Sequence, residues 1–169
     1  MLNIVLARID DRLIHGQVMT AWVKNIRAGR IIIVDDKASS DPFLGELIRM
    51  AAPSGITMEL YGVNKGSQVL MSDGKPNENV ILLVKYPGTI LKLLENGVIL
   101  KKLNIGGMGA AQGRKPLYKN ISASQEERDC LKKIMGHNIY TYIQIIPDQK
   151  AVDLENLLKA HEGGVKKAT

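Results

Sequence analysis

Two stretches, "RIIIV" (30–34) and "VILLV" (80–84), are apolar at almost every successive position. A strand with one wet face alternates apolar and polar residues. A strand that is apolar throughout must be covered on both faces, as in parallel sheets. Further aliphatic runs, "NIVLA" (3–7), "TMELY" (57–61), "KKLNI" (101–105) and "NIYTYIQI" (138–145), recur along the chain and predict more strands.

Helical segments separate them. Asp41 caps a helix with Pro42 at its first position, and Phe43, Leu44, Leu47, Ile48 and Ala51 follow at helical spacing. Pro87 opens a segment with Ile90, Leu91, Leu93 and Leu94, closed by Gly97. Ser124 and Glu127 form a capping box before Leu131, Ile134 and Met135. Asp153 precedes a last helix with Leu154, Leu157 and Leu158. Strand alternating with helix predicts an α/β fold: one open, mainly parallel sheet with helices on both faces. The 169 residues suit a single domain, 1–162, with a frayed tail over 163–169. Only 4% of residues are aromatic, so the core must be aliphatic. Ligands in such sheets bind where the strands end and their order reverses.

The loop after the first strand, "ARIDDRLIHGQV" (7–18), is the most crowded with chemistry. His15 falls just ahead of a helical pattern, where free N–H groups and the helix dipole favour an anion. Gly16 lets the backbone come close. Arg8 and Arg12 offer forked donors for phosphate oxygens. Asp10 or Asp11 could orient an arginine or accept the imidazole N–H. A neutral imidazole is a nucleophile, so these parts suit a histidine that is phosphorylated. The competing reading is a helix-start histidine within a solvated loop.

Other loops are less specific. "NIGGMGAAQGRK" (104–115) has the glycines of a nucleotide loop. Its third glycine is misplaced and no Gly-Lys-Ser/Thr follows, so a flexible turn is expected, with Arg114 and Lys115 as a rim for an anion or an acidic partner. "DDKASSD" (35–41) reads as turn and cap, with Asp36 left open as a rim or cation ligand. A metal site is not expected, since Cys130 is the only cysteine and the three histidines are scattered. The net charge of +6 favours acidic partners. One Phe and one Trp give no stacking platform for nucleic acid. The N-terminus becomes charged too soon for a signal peptide, and no apolar run reaches the length of a membrane span, so a cytoplasmic protein is expected.

The pattern Arg8-x-Asp10-x-Arg12-x-x-His15-Gly16-Gln17 strongly resembles the IIB component of the mannose, fructose and sorbose class of the bacterial sugar phosphotransferase system. Asp36 and Asp41, the loop Asn104-x-Gly106-Gly107-Met108, and Pro147 before the last helix agree with that family. The resemblance implies about seven strands, one of them antiparallel near an edge. It implies that His15 accepts a phosphoryl group on Nδ1 from a phosphohistidine of enzyme IIA and passes it to a sugar entering through membrane subunits IIC and IID. Arg12 and Asp10 would support the transfer, with Arg8, Gly16 and Gln17 binding the phosphoryl group and no cofactor beyond the phosphohistidine. A phosphorylation-dependent regulatory binding module is the alternative. The sugar is not legible, and pairing of two copies stays open.

Overall fold

A computed structural model describes residues 1–165, apart from the side chains of Gln17, Val18 and residues 163–165. Seven strands form one sheet: β1 (Asn3–Asp10), β2 (Arg30–Val34), β3 (Thr57–Tyr61), β4 (Asn79–Val84), β5 (Lys102–Gly107), β8 (Tyr140–Ile143) and β9 (Val152–Asp153). Their order is β3-β2-β4-β1-β5-β8-β9, all parallel except β9, which runs antiparallel to β8 at one edge. Strand order reverses around β1, which lies between β4 and β5. A separate hairpin, β6 (Lys115–Tyr118) and β7 (Ile121–Ala123), is tied to the end of β5 by the Ser122 N–H donating to the Met108 carbonyl at 2.7 Å.

The apolar runs feed both faces. Ile32, Val34, Val80, Leu82 and Val84 enter one core cluster, while Ile31, Ile33, Ile81 and Leu83 enter the other. The second face is covered by α1 (Gly16–Ile26) and α3 (Pro42–Met50), through Met19, Trp22, Val23 and Ile48. The first is covered by α4 (Val63–Met71), α5 (Pro87–Glu95), α6 (Gln125–Gly136) and α7 (Leu154–Val165). A short helix, α2 (Asp36–Ser39), completes the elements.

The open, mainly parallel sheet with helices on both faces is as the sequence predicts, and so are the Asp41 cap and the Ser124–Glu127 capping box. Helix α4 has no start signal in the sequence, for a physical reason. Its N-cap is Gly62, which has no side chain to cap with. The cap comes instead from Asp36, whose Oδ1 accepts the Val63 N–H at 2.7 Å across 27 positions. The hairpin β6–β7 follows the expected turn over 104–115 and carries no strand signal of its own. Pro116 weakens the strand signal, and the turn is made by Lys119 at φ +48° rather than by glycine. The last helix runs to Val165, and 166–169 of the tail lie outside the described residues.

Candidate functional site

Strand β1 ends at Asp10, and the chain turns at once: the Leu13 N–H donates to the Asp10 carbonyl at 2.9 Å. Leu13 closes this turn at φ +55°, a left-handed conformation that costs a branched side chain about 1 kcal/mol. Packing of Leu13 and Ile14 against the α1–α3 core cluster offsets that cost. His15 is then the N-cap of α1, with extended backbone and a side chain that makes no cap hydrogen bond. Its ring is freed from the usual capping duty. The Nε2 atom is buried and has no hydrogen-bond partner. Nothing lies within 4 Å of where a Cβ on Gly16 would stand, so the backbone there is open to a close approach.

Beneath the turn lies a chain of charges. Arg8 is fully buried. Its Nη1 donates to Asn104 Oδ1 at 2.6 Å and the Gln144 carbonyl at 3.1 Å; its Nη2 donates to Asp10 Oδ2 at 2.9 Å and the Ile145 carbonyl at 3.2 Å. The guanidinium also sits 5.5 Å from the centre of the Trp22 ring. Arg12 grips the same Asp10 carboxylate from above, through Nε at 2.9 Å and Nη2 at 3.0 Å. Burial pushes the Asp10 carboxyl up, but the Arg12 hydrogen bonds and the charge of Arg8 outweigh it and hold it below the usual carboxylate range. Burial lowers the Arg8 pKa against the pull of Asp10, while the Asp10 hydrogen bonds raise that of Arg12.

Arg8, expected to bind the phosphoryl group, therefore does something else. With no exposed surface and its terminal nitrogens occupied, it holds Asp10, which in turn holds Arg12. The Arg12 side chain remains 43% exposed and is the arginine of the pair that can meet a ligand. The side chain of Gln17 lies outside the described residues.

The glycine pair of the β5 loop now has a reason. A Cβ on Gly106 would come within 1.8 Å of Arg8 Cζ, and one on Gly107 within 2.4 Å of Asp10 Oδ1. Gly106 and Gly107 are strand residues that make room for a buried guanidinium and its carboxylate, rather than a flexible nucleotide turn.

Asp11, beside Asp10 in sequence, points elsewhere. Its Oδ2 accepts the Gly109 N–H at 2.8 Å and Arg114 Nη1 at 2.9 Å. Arg114 also donates to the Gly109 carbonyl at 2.8 Å and to both oxygens of Glu127, at 2.7 and 2.9 Å. Arg114 thus belongs beside the turn, and with Asp11, Lys85 and Tyr86 it lines a cavity of about 520 Å³ between the ends of β1 and β4 and the start of α6. Lys115 does not join it: it begins the hairpin and lines a different depression with Arg128 and His161. Asp36 does not join it either, because its carboxylate serves α4 on the far side of β4. Among the described residues, no group of three His, Cys, Asp or Glu is arranged to hold a metal ion. The supporting residues Asn104, Trp22, Gln144 and Glu127 lie 13 to 136 positions from the arginines they meet, and no local motif marks their part in the site.

Residues 4–168 match the family described as "PTS system sorbose subfamily IIB component". The chain belongs to this family. This IIB chain is 33% identical to the fructose-specific EIIB component of Bacillus subtilis, over 94% of its own length and 98% of that protein. It is 35% identical to the mannose-specific EIIAB component of Escherichia coli K12 over 88% of its length, and spans 47% of that longer protein. The crystal structure of the IIBSor domain of the sorbose permease from Klebsiella pneumoniae superposes with a TM-score of 0.88 at 32% identity, covering 94% of this chain and 98% of that one. The IIB fold of this chain, with its antiparallel edge strand, is therefore the one the sequence resemblance implied. Among the described residues, no helix is long and apolar enough to cross a membrane.

Proposed function

We propose that this IIB chain is a cytoplasmic phosphoryl carrier. It takes a phosphoryl group on Nδ1 of His15 from a phosphohistidine of enzyme IIA, and passes it to a sugar entering through membrane subunits IIC and IID. The observation that carries this reading is His15 itself: an N-cap that does not cap, with Nε2 sealed, at the strand-order reversal.

In the neutral ring the proton sits on the sealed Nε2 and the Nδ1 lone pair is the nucleophile. A new N–P bond forms at Nδ1 as the donor's N–P bond breaks, and the donor imidazole leaves neutral. Negative charge on the transferring oxygens is met by the N-terminus of α1 and by Arg12. Arg12 is already aimed by Asp10, so little ordering is left to do at the moment of transfer. Contacts with donor and acceptor must be transient, and the net charge of +6 speeds encounter with an acidic donor surface.

The test is phosphate transfer from ³²P-labelled phospho-IIA to the wild-type chain and to His15→Ala. Label on the wild type and none on the variant is expected. Full labelling of the variant would sink the proposal. Phosphosugar formation in vesicles holding IIC and IID, dependent on this chain, tests the second half of the cycle.

A further inference from the structure

The carrier reading gives no duty to Asp11 or Arg114. Yet the Arg114 side chain is only 7% exposed and sits between two carboxylates, Asp11 at 2.9 Å and Glu127 at 2.7 Å. Its grip on Glu127 is bidentate, the geometry that fixes orientation as well as charge. Glu127 is no free surface acid. Its Oε2 accepts the Ser124 N–H at 2.9 Å, and its own N–H donates to Ser124 Oγ at 3.1 Å, so it is locked into the capping box of α6. Arg114 is therefore anchored on a rigid helix start. From there it holds Asp11 and the Gly109 carbonyl. Asp11 is the first residue of the turn that leads to His15, and its own N–H is pinned to the Gly107 carbonyl at 2.9 Å.

The turn is thus gripped on two sides by two adjacent aspartates. Asp10 is held from within the sheet by Arg8, and Asp11 from the hairpin and α6 side by Arg114. The hydrogen bonds and ion pairs of Arg114 with Glu127 and Asp11 outweigh its partial burial and raise its pKa, so the guanidinium stays charged.

Resting on the carrier reading above, we propose that Arg114 is a positioning residue for phosphoryl transfer, acting through Asp11: it fixes the second side of the turn that presents Arg12 and His15. Arg114 touches no reacting atom in this role. Its contribution is orientation, and it is felt in the transfer step rather than in donor docking.

The experiment is a double-mutant cycle on single-turnover phosphorylation by phospho-IIA, with Asp11→Asn, Arg114→Gln and the pair, and His15→Ala as control. Each single variant should slow transfer about tenfold at saturating donor, with the KM for phospho-IIA changed little. Because both act through one contact, the pair should be no slower than the slower single variant. Arg114→Lys, which can still reach one carboxylate, should recover part of the rate. Losses that multiply in the pair, or single variants that transfer at the wild-type rate, overturn the inference. If Arg114→Gln does not fold, Asp11→Asn, which leaves the Arg114–Glu127 fork in place, decides alone: wild-type transfer refutes, slowed transfer with unchanged KM supports. Labelling of His15→Ala would instead defeat the carrier reading, whatever the cycle gives.

Discussion

Two pairs of adjacent aspartates follow two parallel strands of the same sheet, and they do unlike work. Asp10 and Asp11 close β1; Asp35 and Asp36 close β2. Both pairs leave the sheet at its carboxyl edge. Asp35 accepts the Ala38 N–H at 2.7 Å and Asp36 the Val63 N–H at 2.7 Å, so the second pair starts two helices. The first pair meets guanidinium groups instead: Arg8 and Arg12 on Asp10, Arg114 on Asp11. The difference is position. Strand β1 lies where the order reverses, and β5 beside it brings two glycines that leave room for charge. Strand β2 is flanked by β3 and β4, and Gly62 after β3 leaves room there for the Asp36 carboxylate alone, whose partner is a backbone amide. A doubled aspartate is thus a site only where the sheet delivers cations to it.

The sharpest way to break this contrast is to fill the room. Gly106→Ala puts a methyl group where Arg8 Cζ stands, so the fully buried guanidinium must leave Asp10. A loss of about 4 kcal/mol is expected in urea unfolding, together with loss of transfer in whatever folds. A stable variant that transfers normally would show that Arg8 can be accommodated elsewhere.

Asp10→Asn is expected to cost about 3 kcal/mol, because it leaves the buried Arg8 without its counter-charge. Transfer should slow as Arg12 loses its aim. The same group sets the acid limb of stability. Its folded pKa is depressed, so its contribution is complete above the unfolded value of about 3.9 and fades as pH falls through the lower folded value. The wild type should therefore lose stability relative to Asp10→Asn below about pH 4, and the two curves should run parallel above it. A gap that closes near neutrality would contradict the depressed pKa.

What could be read in the sequence divides along the same line as the two aspartate pairs. Features set by near neighbours were legible: the doubly buried strands, the Asp41 cap, the Ser124–Glu127 box, and His15 at a helix start. Features set by distant partners were not. Helix α4 takes its cap from Asp36, 27 positions back, so "GVNKG" carries no start signal. Arg8 looked like a phosphate ligand because nothing local says that Asn104 and two carbonyls at 144 and 145 will surround it. Gly106 and Gly107 looked like a loop because glycine in a strand declares only that something comes close, not what. Arg114 is legible as a cation, yet its two carboxylates lie 103 and 13 positions away. The motif around His15 was complete in sequence; the scaffold that aims it was assembled by the strand order.

The smallest expected effect lies at the other aspartate pair, and it tests the contrast from the opposite side. Asp36→Ala removes the acceptor for the Val63 N–H and leaves α4 with no side-chain cap, since Gly62 cannot supply one. The cost should be that of an N-cap, about 1 kcal/mol in urea unfolding. Phosphoryl transfer at saturating donor should match the wild type, because β4 separates this carboxylate from the turn before His15 and its partner is a backbone amide. Transfer slowed as much as in Asp11→Asn would mean that the β2 loop reaches the reacting group after all. The division between a charge-bearing pair and a helix-starting pair would then fail where the geometry draws it most plainly.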